Sequence, residues 1–359
     1  MLKNDNENLI TNQNIPLEQI NSLLARQNVK LRFNEVFVRN IDLDEMRSGF
    51  LVTSHRKKLW NAQIGLINEF ARICKKYNLK WFAYGGTLLG AVRHKGFIPW
   101  DDDVDIAMLR PDYNKFLKVA PEEIKYPYFF DPWYNYRLEN DTNSYLTEEL
   151  DLPLIKKSSF VVGGFPSFPV IKIRDSRTTQ IEFSNRTNVN QGIWIDIFPF
   201  NSVPPFTEKK HKTNFEIARE LFIAILNPEA IQKAIQDKQQ LMISYEELEK
   251  FLKLSYKQRC VQFDNFAEKI FVESEKVGAL EDYVFSVKTK RVFNLKNYDQ
   301  TVYLPFEEIE IPAPSGWEDC LTTQYGDWRK MVYTHTHAKD WSADIPYTEY
   351  YRTSKFVNN

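Results

Sequence analysis

The stretch Tyr84–Met108, YGGTLLGAVRHKGFIPWDDDVDIAM, constrains the chain more than any other. It sets Asp101, Asp102, Asp103 and Asp105 inside an apolar frame, with Ile98, Pro99 and Trp100 before them and Val104, Ile106, Ala107 and Met108 after and between. Side chains of a strand alternate faces, so a strand over Asp103–Leu109 points Asp103 and Asp105 the same way. Extended backward, it brings Asp101 to that face and turns Asp102 and Val104 to the other. Carboxylates this close repel, and burial raises their pKa unless a cation compensates. Hard divalent ions, Mg²⁺ or Mn²⁺, are the natural compensators, and they are the ions that phosphoryl chemistry uses. The bland alternative is a solvated acidic loop, which would not need the apolar frame.

Upstream, KWFAY (Lys80–Tyr84) reads as a strand entering a turn at Gly85-Gly86, and TLLGAV reads as the start of a helix with Thr87 as its cap. Glycines after a strand permit a tight turn and close approach to phosphate, and the following helix offers free N–H groups. Many strand–helix turns contain Gly-Gly, so this signal acquires weight only beside the aspartates.

Around this centre the chain divides by pattern. Its 359 residues suit one domain with a subdomain. Residues 1–50 are polar and read as an arm; residues 51–205 read as a catalytic core with an aromatic insertion at 121–165. Residues 206–290 read as mostly helical, and 291–359 as a segment packing back on the core. The periodic Leu59, Ile64, Ile67, Phe70, Ile73 and Cys74 predict a long amphipathic helix over 55–77. RPDYNKFLKV predicts a helix, FPVIKIRD and GIWIDIFPF predict strands, TVYLPFEEIEIPAP a strand pattern, and GWEDCLTTQYGDW a closing helix.

The net charge is −1, so no basic field points to nucleic acid. Cys74, Cys260 and Cys320 are isolated and odd in number, which fits a reducing compartment. The longest apolar run, Leu221–Leu226, is far too short to span a bilayer. The start lacks a signal peptide's apolar region. These readings place the chain in the cytoplasm, with the inner face of the membrane as an alternative station.

Strand, Gly-Gly-Thr, helix and then Asp-x-Asp on the next strand is the layout of the nucleotidyltransferase superfamily. More closely, GGTLLGAVRHKGFIPWDDDVDIAM resembles the signature of the LicD family, which includes the fukutin-related proteins. GIWIDIFPF, FEEIEIPAP and YGDW resemble further family elements. The resemblance runs discontinuously from about Leu59 to Trp328. It implies an α+β fold: a nucleotidyltransferase-like mixed sheet flanked by helices, with an additional helical region. It implies transfer of phosphocholine or a phosphopolyol from a CDP-alcohol, CDP-choline favoured, to a sugar hydroxyl of a glycan or lipid-linked glycan. The implied cofactor is Mg²⁺ or Mn²⁺ on Asp103 and Asp105, with Asp101 as a further ligand, and the diphosphate lies over Gly85, Gly86 and Thr87.

Other residues carry two readings each. Asp196 is a lone charge in an apolar strand: a partner of a core arginine, or, with the family pattern, the third acidic residue as metal ligand or base. Arg93, His94 and Lys95 lie between the turn and the aspartates, where they would hold the diphosphate and stabilise charge, with Arg93 or Lys95 at the leaving group; otherwise they complete a helix end. Lys172 and Arg174 share a strand face and would contact phosphate or pair with carboxylates. His335 and His337 read as surface or substrate-contact residues. The aromatics Tyr126–Tyr136 read as core, with a choline cage as the minority reading. Two rival functions stand beside the transferase: a nucleotidyltransferase proper, and a non-enzymatic glycan-binding protein on the same fold.

Overall fold

The computed structural model describes residues 36–134, 137–138, 154–155, 170–181, 190–203, 209–271, 275–279, 291–333 and 340–347. The chain begins there with β1 (Glu45–Arg47), β2 (Phe50–Val52) and α1 (Ser54–Tyr77). Then follow β3 (Phe82–Ala83), α2 (Gly85–His94), β4 (Asp105–Leu109), α3 (Arg110–Glu123), β5 (Tyr128–Asp131), β6 (Arg137–Leu138) and β7 (Leu154–Ile155). Next come β8 (Ile171–Asp175), β9 (Thr179–Gln180), β10 (Ile193–Val203) and four helices: α4 (Lys209–Leu226), α5 (Pro228–Gln236), α6 (Tyr245–Leu252) and α7 (Tyr256–Lys269). The described chain finishes with β11 (Lys276–Ala279), β12 (Val292–Asn294), β13 (Thr301–Phe306), β14 (Ile309–Pro314), α8 (Trp317–Tyr325) and β15 (Trp341–Ser342).

The fold is α+β, with a mixed sheet built around β10. On one edge of β10, β4 pairs parallel over Asp196–Phe200. Along the other edge, β8 pairs antiparallel over Ile193–Ile197 and β11 takes over at Phe200–Val203. β3 borders β4, β5 borders β8 and β12 borders β11. β10 is long enough to serve both partners because its apolar residues alternate: Ile193, Ile195 and Ile197 are buried while Trp194, Asp196 and Phe198 are half-exposed.

α1 forms as the periodicity predicts. Thr53 caps it, its hydroxyl accepting from Arg56 N–H at 3.2 Å, and Asn78 ends it in the left-handed region. Its stripe Leu59, Ile64, Ile67, Phe70 and Ile73 enters a core shared with the sheet, α2, α3 and the β13–β14 hairpin. A second core joins α4–α7 to Trp133 and Val203. Ser244 with Glu247 and Ser255 with Gln258 form capping boxes that start α6 and α7.

Three expectations need correcting. Residues 36–50, expected as part of an arm, fold onto the core: Val38 is fully buried, and Arg47 of β1 reaches Glu307 at 2.6 Å. The helical region stops short of 290, because β11 rejoins the sheet at Lys276. TVYLPFEEIEIPAP is a hairpin, turning at Glu307 with φ 54°. Among the described residues, no helix is long and apolar enough to cross a membrane.

Candidate active site

The strand expected over Asp103–Leu109 begins only at Asp105; Asp101–Val104 precede it outside any strand, with Asp101 N–H closing a turn on Ile98 carbonyl at 2.9 Å. Asp101, Asp103 and Asp105 are half-exposed, while Asp102 and Val104 are fully buried. Asp105 opens β4, and its partner across the sheet is Asp196 of β10; Asp196 N–H also donates to Val104 carbonyl at 2.9 Å. Paired positions on adjacent strands share a face, so Asp105 and Asp196 stand side by side. Asp103 lies in the middle of the group. Its carboxyl titrates well above the usual range, through burial first and then through the charges of Asp105, Asp101 and Asp196.

The glycine turn presses against the same carboxylates. Gly85 has φ +55°, and a β-carbon there would lie 2.7 Å from Asp105 Oδ2. A β-carbon on Gly86 would lie 2.6 Å from Asp101 Oδ2. A side chain at either position would push a site carboxylate aside, and at Gly85 the backbone conformation favours glycine as well. α2 begins at Gly85, with no side chain capping its N-terminus. Its first N–H groups thus lack a side-chain cap next to the carboxylates that face Gly85 and Gly86, a place suited to anionic oxygens. Thr87, expected as the cap, sits one turn in. Its buried hydroxyl accepts Asp105 N–H at 2.8 Å and so ties the turn to the strand.

From behind, α1 clamps the acidic loop by its backbone. Arg56 Nη1 donates to Asp101 carbonyl at 2.8 Å, and Trp60 Nε1 donates to the same oxygen at 3.0 Å. Gln63 Nε2 donates to Asp102 carbonyl at 2.9 Å. The spacing 56, 60, 63 is one helix face. The Arg56 guanidinium, 7 % exposed, lies 5.7 Å over Phe50 and 5.5 Å over Trp341. Burial pulls its pKa down, and the charges of Asp102 and Asp101 oppose that fall.

The remaining predicted residues divide. Lys172 reaches the site, its Nζ 2.9 Å from Asp196 Oδ1. Arg174 does not: it is fully buried and pairs with Asp131 at 2.6 Å. Arg93, expected at the leaving group, donates instead through Nη1 to the carbonyls of Trp328 at 3.1 Å and Lys330 at 3.2 Å. His94 accepts from Arg93 Nε at 3.0 Å, which leaves its Nδ1 proton for Ser48 Oγ at 3.4 Å. Burial first, then Arg93 and Arg47, push the His94 pKa down to about 4, so it is a neutral ring and no phosphate-binding cation. Lys95 is exposed at the C-cap of α2. A ten-residue helix is about 15 Å long, so Arg93–Lys95 stand at the end opposite the glycine turn.

Asp102, expected to face away, is buried, yet one oxygen each of Asp101, Asp102 and Asp103 lies within 4.8 Å of the others. Its burial and the neighbouring Arg56 charge mark it as the inner counter-ion, and the half-exposed Asp101, Asp103 and Asp105 as the open set. Of the aromatic insertion, Trp133 packs on Phe222 and Phe263 in the second core, which is the core reading. Tyr136, His335 and His337 lie outside the described residues.

Sequence reasoning missed Arg56, Trp60, Gln63, Trp194 and Tyr325. Trp194 Nε1 donates to Asp196 Oδ2 at 2.9 Å, and two-residue spacing within one strand was its signal. The Tyr325 phenol is pushed up by its crowded setting first and then by Asp105, Asp101 and Asp103, while Arg291 opposes them. Nothing in the sequence ties Tyr325 to the aspartates.

The donor set fits a hard divalent ion: half-exposed carboxylates, crowded enough to need one, beside a glycine turn that leaves room. Residues 78–148 match the family described as LicD/FKTN/FKRP, nucleotidyltransferase domain. The chain is 27% identical to the lipopolysaccharide cholinephosphotransferase LicD of Haemophilus influenzae over 281 residues, 75% of this chain and 89% of that protein. Uncharacterised proteins of Rickettsia typhi and Rickettsia prowazekii are 42% identical over 57 residues and 38% identical over 72. These cover 16% and 20% of this chain, and 18% and 27% of those proteins.

Proposed function

We propose that this chain, which carries a LicD-family nucleotidyltransferase domain over residues 78–148, is a metal-dependent transferase moving a phospho-alcohol from a CDP-alcohol to a hydroxyl of a glycan. One observation carries the chemistry: Asp105 and Asp101 press on Gly85 and Gly86 at the uncapped start of α2. Carboxylates for a divalent ion and N–H groups for anionic oxygens thereby meet in one place. The similarity to a lipopolysaccharide cholinephosphotransferase favours phosphocholine as the group moved, CDP-choline as donor and a lipopolysaccharide-type glycan as acceptor.

In this reading the donor's diphosphate lies over the α2 N-terminus. Asp103 and Asp105, with Asp101 beside them, would hold Mg²⁺ or Mn²⁺, which supplies charge neutralisation to the transferred phosphoryl group. The clamp from α1 and the Thr87 hydroxyl fix the carboxylates before substrate arrives, so catalysis is largely positioning. Tyr325, whose phenol feels the charges of Asp105, Asp101 and Asp103 as well as Arg291, and which in turn acts on Arg93, would stand near the donor or acceptor.

The test is substitution of Asp105→Asn and Asp103→Ala. Each is expected to lower transfer from CDP-choline by about 10²–10³-fold, the scale of losing a central electrostatic group. Neither should lower the melting temperature of the metal-free protein, because each removes one of several mutually repelling carboxylates. Near-normal turnover in either variant sinks the assignment. The family's nucleotidyltransferase description keeps nucleotidyl transfer as the second reading. Release of CMP supports the first reading, and release of pyrophosphate the second.

A further inference from the structure

The ion pair at Asp196 is not explained by the proposed reaction. Lys172 and Asp196 are cross-strand partners on β8 and β10, and Asp196 is in turn the partner of Asp105 on β4. Asp105, Asp196 and Lys172 therefore form a row across three neighbouring strands on one face of the sheet. Lys172 Nζ lies 2.9 Å from Asp196 Oδ1, and Trp194 Nε1 lies 2.9 Å from Oδ2. Each oxygen of Asp196 thus has a donor already in place. The ammonium also rests 4.4 Å over the Trp194 ring. Their side chains are 13% and 15% exposed, so the pair is neither sealed in the core nor out in solvent.

We propose that Lys172 is a tethered cation that holds the place of a divalent ion at Asp196 and releases that carboxylate when the ion binds. This rests on the metal-dependent reading above. Clustered carboxylates need positive charge whether or not an ion is present. A lysine ammonium is a compact point charge on a flexible stem, able to satisfy one carboxylate oxygen and to swing away. Arg174, the neighbouring cation on the same face, is fully buried against Asp131 and cannot take this role. Lys172 and the ion then compete for Asp196. The lysine holds the row together without the ion, at the expense of ion affinity. A residue that supports ion binding has the opposite sign: its loss weakens binding.

Mn²⁺ titration of the full chain, followed by the electron paramagnetic resonance of free Mn²⁺, separates the two. For Lys172→Met the Kd is expected to fall about tenfold, the effect of removing one unit charge a few ångströms from a divalent ion in a largely screened site. Lys172→Gln, which keeps a polar donor beside Asp196, is expected to do the same and serves if the methionine variant does not fold. Lys172→Arg, which keeps the charge, should stay near the wild-type Kd. Asp105→Asn should bind Mn²⁺ at least about tenfold more weakly. If Asp105→Asn loses Mn²⁺ but neither neutral Lys172 variant gains affinity, the place-holding role is overturned and the metal reading stands. If wild type and Asp105→Asn bind equally weakly, the metal reading falls and takes this role with it.

Discussion

Gly85 combines two constraints in one residue. Its φ of +55° is a region L side chains rarely adopt, and the space where a β-carbon would go is filled by Asp105 Oδ2. Gly85→Ala is expected to cost about 1–3 kcal/mol in urea unfolding, the range for a non-glycine residue held in a sparsely populated backbone region. It should also displace Asp105 and remove most transfer activity. Gly86→Ala meets only the second constraint, at Asp101 Oδ2, so its stability loss should be the smaller of the two. A Gly85→Ala protein as stable and active as wild type would show that the turn does not fit tightly against the acid row. At this scale the sequence was readable in the alternation of burial from Asp101 to Asp105, although only Asp105 lies in a strand and Asp102 brings an oxygen within 4.8 Å of Asp101 and Asp103. It misled at Arg93, His94 and Lys95. They are close to the aspartates along the chain, but the length of α2 carries them to its other end.

Among the elements, α1 and α2 do different work on the same loop. α2 supplies an open N-terminus, while α1 supplies side-chain donors that pin the backbone of Asp101 and Asp102. Trp60 stacks on Phe97 with ring centroids 4.8 Å apart while its indole N–H holds Asp101 carbonyl. Trp60→Phe keeps an aromatic ring and removes the donor. It is expected to cost about 0.5–1.5 kcal/mol of stability, the net worth of one hydrogen bond. Arg56 still binds that oxygen, which holds the loss to the lower end. Transfer should fall further than stability does, because the loop that presents the carboxylates gains freedom; equal kcat in the two proteins would refute this. The helix itself was legible from the 3.6-residue period of its apolar stripe. What its polar face grips was not, since periodicity says which residues share a face and nothing about the partner. β11 escaped for a related reason: KVGA is four residues long and carries too few alternations to register as a strand.

On the scale of the whole molecule, the two cores are joined by a buried polar network. Arg110 donates through Nε to Asn201 at 2.7 Å and through Nη1 to Asp264 at 3.0 Å, and Trp133 Nε1 donates to Asp264 at 3.1 Å. Burial raises the Asp264 pKa to about 6, so at pH 8 the carboxylate is charged and paired. Asp264→Leu leaves Arg110 buried without that counter-charge and is expected to cost about 3–5 kcal/mol at pH 8, measured by urea unfolding. A change under about 1 kcal/mol would mean that apolar packing alone holds the helices to the sheet. None of these contacts could be read from the sequence, since each joins residues far apart in the chain. β10 connects this network to the acid row, because Asp196 and Asn201 lie on one unbroken strand. A paired strand bends and twists but hardly stretches, and five residues of it span roughly 17 Å. β10 is in that sense a strut: through Arg110 and Asn201 it links α7, which carries Asp264, to the strand that holds Asp196 at its other end.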